Sequence, residues 1–156
     1  MDLVFKLAVP GPAVPKARAR IFQRHGKIIG WTPTKTRNYE AFVKLMCLEE
    51  MQRLGLSPIM GEPVDIEIIL FRAIPKSASK KKAALMRADK IRPITRPDQD
   101  NQSKAIKDAL NDIVYHDDAQ VVRSFVEKRY DDGEGPRIEI SVSVWKPEEV
   151  HDPGDG

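Results

Sequence analysis

Val64-Asp65-Ile66-Glu67-Ile68-Ile69-Leu70 is the stretch that decides the fold. Side chains on a strand alternate between two faces, so Val64, Ile66, Ile68 and Leu70 share one face, while Asp65 and Glu67 point the other way. A strand with one apolar face needs a second layer to cover it. The segment is expected to become a central strand.

Working toward the N-terminus, Thr34 to Leu54 has the period of an amphipathic helix. Tyr39, Phe42, Val43, Met46 and Leu54 recur on its expected inner face, and Gly55 stops it. That stripe is core, and Cys47 within it reads as a buried, inert thiol. Leu3 to Leu7 alternates as a first strand, ended by Pro10-Gly11-Pro12. Ile21-Phe22 and Ile28-Ile29 flank His25-Gly26 as a hairpin would.

Toward the C-terminus, Ser77 is placed to cap a short basic helix through Lys80-Lys81-Lys82 to Arg87. Pro93 and Pro97 predict an extended approach to the next helix, Asp100 to about Leu110, whose inner face is Ala105, Ile106, Ala109 and Leu110. Asn111-Asp112 is a natural turn. Val121–Tyr130 and Ile138–Trp145 are two strands joined by Asp131 to Pro136. The order predicts a two-layer α+β domain over residues 1–146, with helices packed on one face of a mixed sheet. Residues 147–156 read as a flexible acidic tail. Strand order does not follow from the sequence.

The 156 residues are enough for one core, and a single cysteine excludes a disulfide framework or a multi-cysteine zinc site. Asp2 and the prolines at 10, 12 and 15 make the beginning a poor signal peptide, and no uncharged run reaches membrane-spanning length, so the expected location is the cytoplasm. The net charge of +3 hides an asymmetry. Lys16, Arg18, Arg20, Arg24, Lys27, Lys35 and Arg37 form one block without an acid. A second runs from Arg72 through Lys76 to Arg96, with Asp89 its one acid. Basic blocks around an acidic centre suit a polyanion gripped by its phosphates, with Lys16, Arg18, Arg20, Lys35, Arg37, Lys76 and Arg96 as the gripping residues.

The acidic centre is Arg96-Pro97-Asp98-Gln99-Asp100-Asn101-Gln102-Ser103-Lys104, followed by Asp108 and by Asp117-Asp118. Two carboxylates about 6 Å apart repel by about 3 kcal/mol at an effective dielectric of about 20. Such clusters are tolerated where a hard divalent ion binds. Each four-residue helical step turns about 400° and rises about 6 Å, so Asp100, Lys104 and Asp108 form one stripe. In phosphodiester hydrolysis Asp98, Asp100 and one of the later pair would hold Mg²⁺, and Lys104 would orient a water or neutralise a phosphate oxygen. The bland alternative makes Asp98 and Asp100 helix-capping acids, and pairs Asp108 with Lys104 or Lys107. An EF-hand is excluded: Ser103 stands where glycine is required and Ala109 where the closing glutamate belongs. His116 has no helically paired histidine and reads as a turn residue.

Arg96 to Asn101, Lys104, Asp108 to Asn111 and Tyr115 to Val122 together resemble the signature of RusA-type Holliday junction resolvases. Val9 to Arg18, Trp31 to Tyr39 and Pro75-Lys76-Ser77 are similar to the same family, so the resemblance runs from about Phe5 to Val144. It implies a small α+β homodimer that cuts four-way DNA junctions symmetrically with Mg²⁺ or Mn²⁺. By position, Asp98, Asp100 and Asp118 match the metal-binding carboxylates, Lys104 the catalytic lysine and Asp117 an adjacent, auxiliary acid. Gln102 departs from the pattern where an apolar residue is usual, and Asp112 where glycine is common. A branched-DNA-binding module that does not cut, or a nuclease for flaps or RNA, are the competing readings.

Overall fold

In a computed structural model, described over residues 3–13, 20–24, 27–31 and 34–148, the expected central strand is β4 (Val64–Arg72). The other strands are β1 (Leu3–Pro10), β2 (Arg20–Arg24), β3 (Lys27–Trp31), β5 (Val121–Tyr130) and β6 (Arg137–Val144). The helices are α1 (Thr34–Leu54), α2 (Lys80–Arg87) and α3 (Gln99–Ala109), with a single 3₁₀ turn at Asp118–Gln120. The main sheet has the order β1-β6-β4-β5, and β2 with β3 forms a separate hairpin. β4 pairs antiparallel with β6 and parallel with β5. Although consecutive in the chain, β5 and β6 do not pair with each other; β4 lies between them. A parallel pair requires a long crossover, and the β4-to-β5 connection carries α2 and α3.

The alternation in β4 works as expected on one face. Ile66 and Ile68 are fully buried and sit opposite Val142 and Ile140 of β6. Phe5 and Val9 of β1, Tyr39, Val43, Cys47 and Met51 of α1, Ala105, Ile106 and Ala109 of α3 and its C-cap Leu110 belong to that core. The other face is less open than its acids suggest: Asp65 is buried and accepts from Arg123 at 2.9 Å. Phe71, Ala83 and Met86 are buried but stand outside the main core cluster, so α2 makes a small apolar annex of its own.

Several boundaries differ from expectation. β1 continues to Pro10, because its pairing with β6 runs on to Arg137. The buried stripe of α1 is Tyr39, Val43, Cys47 and Met51, repeating every fourth residue, whereas Phe42 and Leu54 are exposed. One stripe about 100° wide is all that a neighbouring layer can cover, and the apolar residues of α1 extend beyond it. Burial pushes the Cys47 thiol up to about 12, which makes it inert. The cap of α2 is Ser79, whose Oγ accepts from Lys82 N at 3.2 Å, and not Ser77. A cap must lie directly before the first helical residue. The hairpin tip His25-Gly26 and residues 149–156 of the expected tail lie outside the described residues.

Candidate active site

The segment entering α3 is bent over residues 95–97, with a cis Arg96–Pro97 peptide, rather than extended throughout. Two cations from the sheet hold it there. Arg72 donates to Thr95 Oγ1 at 3.0 Å and to the Thr95 and Pro97 carbonyls at 3.3 and 3.4 Å. Lys128 Nζ donates to the same two carbonyls at 2.9 and 3.3 Å. Burial, then the neighbouring Arg72, depress the Lys128 pKa; the Asp98 charge opposes them. These contacts join β4 and β5 to the residues immediately before Asp98.

Asp98 stands at the N-cap position of α3 with extended backbone, yet its side chain makes no capping hydrogen bond. The helix starts instead through its backbone, with Gln102 N donating to Asp98 O at 3.2 Å. Asp98, Asp100 and Lys104 are exposed, while Ala105, Ile106, Ala109 and Leu110 fasten the helix by its other side. An exposed stripe of acid and lysine on a firmly packed helix is a rigid way to present charge to a ligand.

At the far end of α3, Asn111 Oδ1 accepts from Asp118 N at 2.8 Å. Asp112 follows with φ of 62°, which its short polar side chain tolerates and which turns the chain back. Tyr115, fully buried, donates its hydroxyl to Lys107 O at 2.7 Å, so the loop is tied to the last turn of α3. Asp117 accepts from Ala119 N, and Gln120 Oε1 returns a bond to Asp117 N, giving a reciprocal capping box. Gln120 Nε2 also donates to the Ile59 and Glu62 carbonyls.

The doublet therefore divides its labour. The Ala119 amide, then the hydrogen bond with Asp118, hold the Asp117 carboxyl below the usual range. Asp118 is held above it, first by that shared hydrogen bond, then by burial, then by Asp108. The two titrate as a pair in which Asp118 keeps the proton longer. Asp108 thus belongs beside Asp118, a neighbour that its helical spacing alone does not reveal.

Asp118, Asp117 and Asp108 meet at one end of α3, and Asp98 and Asp100 stand at the other. Ten positions separate Asp98 from Asp108, about 15 Å along the axis. Among the described residues, no three acidic, histidine or cysteine groups are placed to enclose a metal ion. Of the expected phosphate-gripping residues, Lys76 joins Lys80 and Arg87 along an open groove of about 530 Å³, and Arg96 is exposed. Lys16 and Arg18 lie outside the described residues, as do the side chains of Arg20, Lys35 and Arg37. Arg72, Lys128, Asn111 and Gln120 were not legible as site-builders. Each acts on a backbone group distant in sequence or across a turn, which leaves no periodic trace.

The model of a family described as endodeoxyribonuclease RusA matches residues 10–143. The chain belongs to the RusA family. Asp98, Asp100, Lys104, Asp117 and Asp118 all fall inside the matched span. The chain is also 36% identical over 144 residues to uncharacterized protein YqaN of Bacillus subtilis (strain 168), covering 91% of this chain and 96% of that one. RusA membership agrees with the α+β architecture and its four-stranded mixed sheet. Among the described residues, no helix is long and apolar enough to cross a membrane.

Proposed function

We propose that this RusA-family chain is a metal-dependent endonuclease that resolves four-way DNA junctions by paired phosphodiester hydrolysis. The observation that carries the reading is Asp98: an acid at a helix N-cap whose carboxylate makes no capping bond is available to a ligand. Asp98 and Asp100 at one end of α3, and Asp118 at the other, offer hard oxygen donors suited to Mg²⁺, with Mn²⁺ as a substitute, as two separate groups and not as one cage. The Asp118 pKa is raised by its hydrogen bond with Asp117, then by burial and by Asp108, and a divalent cation beside it would favour the ionised form. Mg²⁺ is usually held by one or two carboxylates together with substrate phosphates, so a protein cage of three donors is not required. When bound, the ion supplies an activated water and stabilises the charge on phosphorus.

The chain's own side chains have separate roles in this reading. Lys104 neutralises a non-bridging phosphate oxygen one helical turn beyond Asp100. Asp117 fixes the turn that aims Asp118. Lys76, Arg96 and the basic residues between 16 and 37 grip flanking phosphates, which sets register and not sequence. A four-way junction presents two equivalent strands, and a two-fold homodimer in the cytoplasm would present two sites to them.

The test is a synthetic four-way junction incubated with the protein and Mg²⁺, then with EDTA, beside a flap and an RNA duplex. Paired, metal-dependent nicks on the junction are expected, with Asp100→Asn abolishing them and retaining binding. Salt-sensitive binding with no cleavage in Mg²⁺ or Mn²⁺ would replace this reading with a non-cutting DNA-binding module. Preferential cleavage of the flap or the RNA would change the substrate.

A further inference from the structure

Ile94 is the most exposed large apolar side chain among the described residues, with 95% of its surface open. It lies in the loop between α2 and α3, four positions before Asp98, and the chain is held on both sides of it. Upstream, Arg92 makes a two-pronged contact with Asp89 at 2.9 Å and reaches Glu127 of β5 at 3.6 Å, while Arg129 lies 3.7 Å from Asp89. Pro93 is buried. Downstream, Arg72 donates to the Thr95 hydroxyl and Lys128 to the Thr95 carbonyl. A loop free to move would turn an isoleucine inward, because burying it is favourable. Here the anchors on either side fix the backbone and leave this one side chain in solvent. Rigid presentation of a group that folding does not use is how binding residues are held ready.

We propose that Ile94 is a wedge that enters the branch point of a four-way junction and opens the base stack beside the strand to be cut. The proposal rests on the reading of the chain as a junction nuclease. Proteins that kink DNA do so by inserting a single apolar side chain, isoleucine among them, between base steps. A protein partner would need a contiguous apolar patch. Within residues 88–97 no second large apolar side chain is exposed: Pro93 is buried, and Ile91 and Pro97 are half-buried. The surroundings favour DNA as well. Arg96 is exposed two positions on, and Lys76, Lys80 and Arg87 line the groove along α2. Such cations take phosphates, which leaves the apolar group beside them for the faces of bases. Four residues span at most about 14 Å, so the opened stack lies near the phosphodiester at Asp98. Unstacking is costly within a duplex and cheapest where pairing and stacking are already broken, as at a branch. Ile94 thereby favours junctions over linear duplex. Its side chain has no hydrogen-bonding group, so it does this without choosing among bases.

The experiment titrates immobile junctions carrying 2-aminopurine beside the branch point with wild type, Ile94→Ala and Ile94→Leu in EDTA. Wild type should raise the fluorescence severalfold as the base unstacks. Ile94→Leu should keep that rise and Ile94→Ala should lose it. Ile94→Ala should also bind the junction about five- to tenfold less tightly, the loss expected for one apolar side chain, with its affinity for linear duplex unchanged. In Mg²⁺ its single-turnover cleavage should fall by a similar factor. That rate should recover on junctions whose branch-point pairs are mismatched, where the stack is already open. All three proteins should melt alike, because the side chain is exposed. No rise with wild type overturns the proposal, as does an equal rise with Ile94→Ala. A loss of affinity shared equally by junction and duplex overturns it too, since that marks an ordinary surface contact. Each of those results leaves the nuclease reading standing. A rise that depends on Ile94 without any cleavage keeps the wedge and removes the nuclease, and a protein that binds no branched DNA sinks both.

Discussion

The carboxyl groups of Asp118 and Asp108 lie within hydrogen-bonding reach of each other at the C-terminal end of α3, although nine residues and a reversed turn separate them. The Asp118 pKa is raised, first by its hydrogen bond with Asp117, then by burial, then by this contact with Asp108. Asp118→Asn removes the repulsion and lets an amide donate to Asp108. In metal-free buffer the variant should therefore melt about 2–4 °C above wild type, the shift that about 1 kcal/mol gives at this size. A raised folded pKa means that the native state holds a proton the unfolded chain has released, so wild-type stability falls as pH rises through that range. The gap between variant and wild type should accordingly open above about pH 4 and be absent below it. Cleavage should be lost in the same variant. Thermal melts from pH 3 to 8 in EDTA check this, and a variant less stable than wild type at pH 7 would refute it.

Much of the architecture was open to reading because its signals are local. Val64 to Leu70 alternates, Thr34 to Leu54 repeats with a helical period, and both became the elements expected of them. The insertion of β4 between β5 and β6 had no such signal, since pairing partners are chosen by burial and not by chain order. At the site, Asp100 and Lys104 follow from four-residue spacing on one helix, and Asp98 from its place just before it. The meeting of Asp108 with Asp118 depends on Asn111, Tyr115 and the positive φ of Asp112 acting together. No periodicity encodes that turn.

Lys128 offers a second test. Its ammonium donates to the Thr95 and Pro97 carbonyls just before Asp98, so it acts as a positioning residue for the start of α3. Lys128→Met should reduce junction cleavage about tenfold or more, because misplacing a catalytic group by about 1 Å can cost a hundredfold. Junction affinity should change far less, and Lys128→Arg should recover part of the rate. Single-turnover cleavage and EDTA-trapped binding, measured side by side, separate the two effects; equal losses in both would point to phosphate contact instead.

Arg137, at the start of β6, is a buried charge held by several partners. At 8% exposure it makes a two-pronged contact with Asp132 at 2.9 and 3.0 Å, bonds Glu139, and stacks 3.8 Å above the Phe71 ring. Arg137→Ala strands two acids and uncovers Phe71, at a cost of about 2–3 kcal/mol and a melting point roughly 5–10 °C lower. Hydrogen bonding to Arg137 holds the Asp132 carboxyl below its ordinary range. Its contribution is therefore complete above about pH 4 and disappears as pH falls through the lowered folded value. Melts at pH 7 and pH 3 should show the deficit of the variant shrinking in acid.

Capping of α2 can be checked by two single substitutions. Ser79 Oγ accepts from Lys82 N, whereas Ser77 lies before the helix. Ser79→Ala should lower stability by about 1 kcal/mol, and Ser77→Ala by a few tenths at most. Urea denaturation of the pair reads this directly; equal effects would mean that the cap is not where its geometry puts it.

The groove along α2 makes a prediction about salt. Lys76, Lys80 and Arg87 line it, and α2 has no acid in its first turn to offset them. Each cation that neutralises a DNA phosphate releases counterion, so log affinity falls with log salt by about 0.9 per contact. Replacing Lys76, Lys80 and Arg87 together with Gln should weaken junction binding at low salt and reduce that slope by about 2–3. Loss of affinity should be uniform across junction sequences, because phosphate contacts carry no base information. Titrations at several salt concentrations decide it. An unchanged slope would remove this face from the DNA path and leave Arg96 and the basic residues before Arg37 to carry the grip.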